Sequence, residues 1–270
     1  MRENFIILYL FINNLLMDRK ENVLLIAHRG ASDLAPENTL MAFESAIEFG
    51  ADFIEFDVRN TVDKEIVIIH DPGVFRTTHR LGLVKRLTLK KIKSLNAGNG
   101  EKIPTLKELI QATKGKISYM CEIKVKGISE KVAKILRENN VLDSTILISF
   151  KHEELLKSRI EHPELKLGAI IPSKFGWITN WFFRKKLISN LAKKNFFSIN
   201  PFYPLVNKKF VKIAHENGLK VFPWTVNSKS KLEKLSKIGV DGILTNHIKM
   251  FKNSVIKFQK NSKKSKKSKM

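Results

Sequence analysis

The chain alternates short apolar runs with longer amphipathic segments, regularly enough to predict its elements in order. "VLLIA" at 23–27 is a continuous apolar run, the pattern of a strand covered on both faces. "TLMAFESAIEFG" follows, with Leu40, Phe43, Ala46 and Ile47 on one helical face and Gly50 past the end, where a C-cap favours glycine. "DFIEFDV" at 52–58 reads as the second strand, and "EIVIIH" at 65–70 folds back on it as a hairpin. Thr105-Leu106-Lys107-Glu108 has the spacing of a capping box, opening a helix that runs to about Lys114. Beyond it, strands are predicted near 117–123, 145–149, 166–171, 196–199, 219–224 and 241–244. Helices fall between them near 129–140, 152–160, 181–194, 207–217 and 229–238.

With 23–27 and 52–58 these make eight strands, each separated from the next by a helical stretch. Alternating β and α units imply a parallel sheet, and eight of them imply closure, so the expected class is α/β, a TIM (β/α)8 barrel. An open doubly wound sheet is the alternative, weakened because no G-x-G-x-x-G follows a strand. The expected organisation is an apolar extension at 1–21, a barrel domain at 22–252 and a lysine-rich disordered tail at 253–270. Between strands two and three lies an insertion of about 59–116, placed over the mouth of the barrel.

Composition adjusts this picture in three places. The single cysteine, Cys121, excludes an intramolecular disulfide and favours a reducing, cytoplasmic setting; flanked by Met120 and Glu122 in an apolar run, it reads as a buried small hydrophobe. The net charge is +23, of which the seven lysines at 257–270 account for part; removing them leaves +16. Such a field favours phosphate-bearing partners, but no nucleic-acid-binding signature accompanies it, so no nucleic-acid partner is expected. "FIILYLFINNLLM" at 5–17 is too short for the roughly 20 residues that span a bilayer. No small-x-small cleavage site follows it. A short membrane-docking helix, a poor signal peptide and an extension upstream of a start at Met17 all fit it.

Polar residues gather where the predicted strands end, which is where a barrel keeps its chemistry. His28 and Arg29 end strand one. Glu55 and Asp57 lie two apart near the end of strand two and share a face; Glu122 and Lys124 repeat that spacing on strand three. His70 and Asp71 close the hairpin, and Trp224 ends strand seven. Taken singly, each has a structural explanation, and His79, His152, His162, His215 and His247 are left with that reading. Together they do not. Charges ending buried strands must be paired or bind a metal. Three converging carboxylates repel one another, and a divalent cation relieves that; all-oxygen ligands select a hard ion such as Mg2+ or Ca2+. Metal, arginine and two histidines suit phosphoester chemistry.

The stretches "AHRGASDLAPENTLMAFESAIEFGADFIEFDVRNTVDKEIVIIHDP", "RTT" at 76–78, "IPTLKELI", "CEIK", "SF" at 149–150, "AHENGLKVFPWTVN" and "GVDGILTN" resemble the glycerophosphodiester phosphodiesterase family, from about Val23 to Ile248. The resemblance implies a metal-dependent barrel hydrolase that converts a glycerophosphodiester to sn-glycerol 3-phosphate and an alcohol. It implies His28 and His70 as the acid/base pair and Glu55, Asp57 and Glu122 as metal ligands. Arg29 and Lys124 match phosphate contacts, Glu37 a supporting polar group of the substrate site, and Trp224 an apolar wall against the glycerol. Two departures stand out: "LTNH" at 244–247, where the family often ends in Thr-Asp, and "LNAG" at 95–98, where Asp is common before Ala-Gly. Either water or a neighbouring glycerol hydroxyl can serve as the attacking oxygen. The rival reading is a lysophospholipase D-like or other lipid phosphodiesterase at an anionic membrane surface. Trp177, Trp181, Phe182 and Phe183 ahead of Arg184, Lys185 and Lys186 give it support, having the composition of an interfacial helix; a barrel helix with inward aromatics is the plain alternative. A non-enzymatic phosphate-binding barrel is a further rival.

Overall fold

The computed structural model describes residues 23–171 and 180–251. The expectations for 1–21, for 253–270 and for Trp177 fall outside those residues. Nine strands are described: β1 (Leu24–His28), β2 (Phe53–Asn60), β3 (Ile66–Ile68), β4 (Ser118–Ile123), β5 (Thr145–Ser149), β6 (Lys166–Ile171), β7 (Ser198–Pro201), β8 (Lys220–Val221) and β9 (Gly242–Thr245). The helices are α1 (Leu40–Glu48), α2 (Phe75–Thr78), α3 (Leu89–Ser94), α4 (Leu106–Thr113), α5 (Ser129–Glu138), α6 (His152–Glu161), α7 (Trp181–Lys193), α8 (Lys208–Glu216) and α9 (Lys229–Lys237).

Eight of the strands are parallel, ordered β8-β7-β6-β5-β4-β2-β1-β9, and β3 pairs antiparallel to the end of β2, with Val58 opposite Ile68. The ends of this order also meet. Asp241 N donates to Val221 O at 3.1 Å, Leu244 N to Pro223 O at 3.0 Å and Val226 N to Leu244 O at 2.8 Å, which brings β9 against the segment of β8 and nearly closes a TIM barrel. The β8 strand is shorter than the expected 219–224 because Pro223 has no N–H to offer the ladder. Similarly, β7 lies two residues later than expected and runs to a proline, Pro201.

Alternating faces divide the core. Inside the barrel, Ile26, Phe53, Met120, Ile146, Ile148, Ile170, Phe222 and Leu244 form one apolar cluster. Outside it, a larger cluster joins the strands to the helices and includes Cys121, which is fully buried. The segment between β2 and β4 has a core of its own, built from Val67, Ile69, Val74, Val84, Ile92, Leu95, Ala97 and Ile103. It therefore stands as a packed unit rather than a loose loop. The capping box is present: Glu108 N donates to Thr105 Oγ1 at 3.1 Å and Thr105 N to Glu108 Oε2 at 2.7 Å. Among the described residues, no helix is long and apolar enough to cross a membrane.

Candidate active site

Where β1 ends, two successive residues take left-handed backbone, Arg29 at φ 60° and Gly30 at φ 81°. The turn aims Arg29 N at Glu55 Oε2, 3.0 Å away, and brings the chain against α1 so tightly that a Cβ on Gly30 would lie 2.7 Å from the Ala42 carbonyl carbon. Only glycine fits there. The Arg29 guanidinium sits between Glu37 Oε1 at 3.0 Å and Asp57 Oδ2 at 3.4 Å, while Asn38 Nδ2 donates to Asp57 Oδ2 at 2.9 Å.

The parallel register does the rest. His28 lies opposite Glu55, and Asp57 opposite Glu122. Glu55, Asp57 and Glu122 are all buried, and one ligand oxygen from each lies within 4.8 Å of the others. Lys124 Nζ spans two of them, 2.7 Å from Glu122 Oε1 and 3.3 Å from Asp57 Oδ1. Three buried carboxylates cannot all ionise freely. Burial works to raise Asp57, but the Lys124 and Arg29 charges outweigh it and hold Asp57 at about 2. Burial and then the Asp57 charge push Glu122 up to about 7, and burial with the charges of Asp57 and Glu122 pushes Glu55 well above the usual carboxylate range. Asp57 Oδ1 is in no hydrogen bond, with only the Lys124 ammonium beside it at 3.3 Å. A buried all-oxygen cluster whose charges repel one another, with one oxygen in no hydrogen bond, fits a hard divalent cation.

Two imidazoles stand at the same mouth, each with Nδ1 taken. His28 Nδ1 is 2.7 Å from Asn246 Oδ1, and His70 Nδ1 is 2.6 Å from Asp71 Oδ1. Both partners are acceptors there, so each Nδ1 donates and each Nε2 keeps its lone pair. Burial, then the neighbouring Arg29 charge, brings His28 down to about 4; burial also lowers His70, against the pull of Asp57 and Asp71. The His70 main chain is pinned by Arg59, whose Nε and Nη2 donate to its carbonyl at 2.9 and 2.7 Å.

A cavity of about 280 Å3 opens among these groups. Its lining includes His28, Arg29, Glu55, His70, Glu122, Lys124 and Trp224, together with Phe150 and Asn200. Asp57 joins it through the carboxylate cluster. Glu37 stands one step back, between Arg29 and Arg76, whose Nη1 and Nη2 donate to its two oxygens at 2.8 and 2.7 Å. Trp224 is fixed by Nε1–H donating to Asn200 O at 2.8 Å, with Phe150 and Phe202 at centroid distances of 5.8 and 5.6 Å. A second cavity, at the amino ends of the strands, is lined chiefly by Leu24, Phe53, Phe197 and Phe222 and holds none of these residues. The five remaining histidines lie outside both.

Several residues of the site escaped sequence reasoning. Asn246 was visible only as a departure within "LTNH", yet it holds His28. Arg76 lies in "RTT" and ties Glu37 to Asp71, with Nε 2.5 Å from Asp71 Oδ2. Asn38 lies in "PENT" and braces Asp57. Each sits in a stretch that marks the family resemblance, but Asn246, Asn38 and, toward Glu37, Arg76 reach partners 218, 19 and 39 residues away.

Comparison with known proteins bears on the fold and the family. The model of the Glycerophosphoryl diester phosphodiesterase family matches residues 28–250. A glycerophosphodiester phosphodiesterase of Caldanaerobacter subterraneus is 39% identical over 236 residues, covering 82% of this chain and 93% of its own. Among solved structures, an Oleispira antarctica phosphodiesterase in complex with the product sn-glycerol-3-phosphate superposes with a TM-score of 0.74 at 27% identity, covering 87% of this chain and 97% of its own. A protein of Silicibacter pomeroyi shares the fold at a TM-score of 0.81 and 23% identity, covering 88% of this chain and 95% of its own. With its barrel, its mouth-side cluster and a family match over most of its length, the chain belongs to the glycerophosphoryl diester phosphodiesterase family.

Proposed function

We propose that this protein hydrolyses glycerophosphodiesters to sn-glycerol 3-phosphate and an alcohol, using two histidines for proton transfer and a divalent cation held by Glu55, Asp57 and Glu122. The observation that carries the reading is the pairing of His28 and His70 in one cavity, each with its tautomer set and Nε2 available. Arg29 and Lys124 supply the fixed positive charge for the phosphate oxygens. Mg2+ or Ca2+ held by Glu55, Asp57 and Glu122 would supply Lewis-acid withdrawal of charge from those oxygens. The neighbours of the histidines divide their roles. Asp71 supports a positive ring on His70, which suits it to protonate the departing alkoxide. Burial and the Arg29 charge keep the His28 ring neutral, and Asn246 brings no charge to offset them, which suits that ring to take the proton from the attacking water or glycerol hydroxyl. Trp224, held upright by Asn200, closes one wall against the glycerol, and Glu37 holds Arg29 in place.

The barrel domain is taken to span 22–252 with its insertion at 59–116, in a cytoplasmic setting consistent with its one buried thiol. The test is release of glycerol 3-phosphate from a panel of choline, ethanolamine, glycerol and inositol diesters, with Mg2+, with Ca2+ and after chelation. One equivalent of alcohol should appear per glycerol 3-phosphate. Release from none of the diesters with either ion refutes the reaction; release undiminished by chelation refutes the metal's part.

A second reading, hydrolysis of a lipid carrying the same diester, is favoured by one specific observation. Phe150, packed on Trp224 at the cavity wall, is exposed to solvent, as are Phe182 and Phe183 at the start of α7.

A further inference from the structure

The exposed phenylalanines are not scattered. Among the described residues there are four, Phe75, Phe150, Phe182 and Phe183, and every one follows the carboxyl end of a strand. Phe75 opens α2, beside Arg76, which reaches Glu37 and Asp71 at the mouth. Leu81, 88% exposed, stands six residues on from Phe75 in the same segment. Phe182 is 69% exposed in the first turn of α7, and the two anchors of that turn lie on the mouth side: Arg184 Nη1 donates to Leu205 O in the segment after β7, and Lys209 in the first turn of α8 lies over the Trp181 ring at 4.3 Å. The aromatic wall of the cavity runs toward this turn through Phe202 and Tyr203, whose ring centroids are 5.3 Å apart. Ile160, near the far end of α6, is exposed as well, but singly; aromatic groups gathered about the cavity mouth mark a docking surface.

Charge says what docks. Residues 72–100, which carry Phe75 and Leu81, contain seven Lys and Arg and no acid. The second turn of α7 and the first turn of α8 add Lys185, Lys186, Lys208 and Lys209, all exposed. Protein interfaces deplete lysine at their cores, whereas an interfacial membrane contact combines protruding aromatics with lysine and arginine beside them. We infer that the carboxyl-end face of the barrel docks on an anionic lipid bilayer, with Phe75, Leu81, Phe182 and Phe183 entering the headgroup boundary and the flanking cations meeting lipid phosphates. The cavity then opens onto the lipid surface, and a diester headgroup in that surface meets Arg29 and Lys124 without leaving it. This assigns the face used in the lipid reading and rests on that reading for its substrate; the docking itself is measured without turnover.

The test is sedimentation of the full chain with vesicles of phosphatidylcholine alone and of phosphatidylcholine mixed with phosphatidylglycerol. The chain should pellet with the second and not the first. The variant Phe75→Ser/Phe182→Ser/Phe183→Ser should lose about tenfold or more in partition, while its hydrolysis of a water-soluble diester stays unchanged and shows that the barrel is folded. Both forms carry the same apolar first segment and lysine tail, so undiminished partition in the variant overturns the inference. So does rim-dependent binding to single-stranded RNA with none to vesicles. Vesicle binding with no hydrolysis of any diester refutes the activity and leaves the docking face standing.

Discussion

His28 Nδ1 lies 2.7 Å from Asn246 Oδ1, across 218 residues of sequence and the seam where β1 meets β9. The contact orients the ring and sets its tautomer, but brings no charge to it. Burial and Arg29 hold the imidazole down at about 4 from an ordinary 6.5. A base acts in its neutral form, so activity is present above this pKa and lost below it. The acidic limb of kcat/KM should therefore lie well below the ordinary histidine range. In Asn246→Asp a carboxylate favours the charged ring, so the limb should move up by about one to three pH units. A limb that stays in place would remove His28 from the role of base.

Replacing either histidine with alanine should lower turnover by about 10²–10⁴, with the thermal unfolding midpoint little changed. The two variants should then separate on a nitrophenyl diester, whose leaving group needs no proton. His70→Ala should recover most of its loss on that substrate and His28→Ala should not. Equal recovery by both would undo the division of roles.

Cation binding should depend on pH through Glu122. Its carboxyl, raised to about 7, is protonated below that pH in the free protein, and a metal requires it ionised. Affinity for Mg2+ or Ca2+ should fall as the pH drops through 7, by up to about tenfold per unit for each ligand carboxyl that must shed its proton. Calorimetry at pH 6 in buffers of different ionisation enthalpy should register proton release. Glu122→Gln should weaken binding at pH 8; unchanged affinity there would exclude Glu122 as a ligand.

Gly30→Ala places a Cβ 2.7 Å from the backbone of Ala42 at φ +81°. The left-handed backbone alone costs about 1–2 kcal/mol, and relief of the clash must move Arg29 away from Glu55. A lower urea midpoint together with reduced turnover is expected; wild-type values for both would show that the β1–α1 turn is softer than its packing indicates.

Glu154 performs a stabilising task away from the cavity. The N-cap residue of α5, Ile128, has no side chain that can cap. Glu154 reaches over from α6 instead, its Oε1 accepting from Gly127 N at 2.6 Å and from Ser129 Oγ at 3.0 Å. Glu154→Ala leaves these donors unpaired and should cost about 1–3 kcal/mol in denaturant unfolding, with kcat unaffected.

Periodicity and spacing in the chain determined a great deal. An apolar run such as "VLLIA" can only be covered on both faces, and eight such runs separated by helices leave little besides a barrel. Since barrel chemistry sits at strand carboxyl ends, the residues ending those runs could be read directly, and the structure gathers His28, Glu55, His70, Glu122 and Lys124 around one cavity. Such inferences need only local pattern, because strand alternation assigns each side chain a face. Contacts between remote segments carry no local pattern. That Asn246 would meet His28, that Arg76 would clamp Glu37, or that Glu154 would cap another helix depends on the register of strands and the angle of helices, which packing settles for the whole molecule at once. Electrostatics follows the same division: the sequence supplies three carboxylates, but only their convergence in a buried space divides their protons unequally, leaving Asp57 charged and Glu122 half-protonated near neutrality.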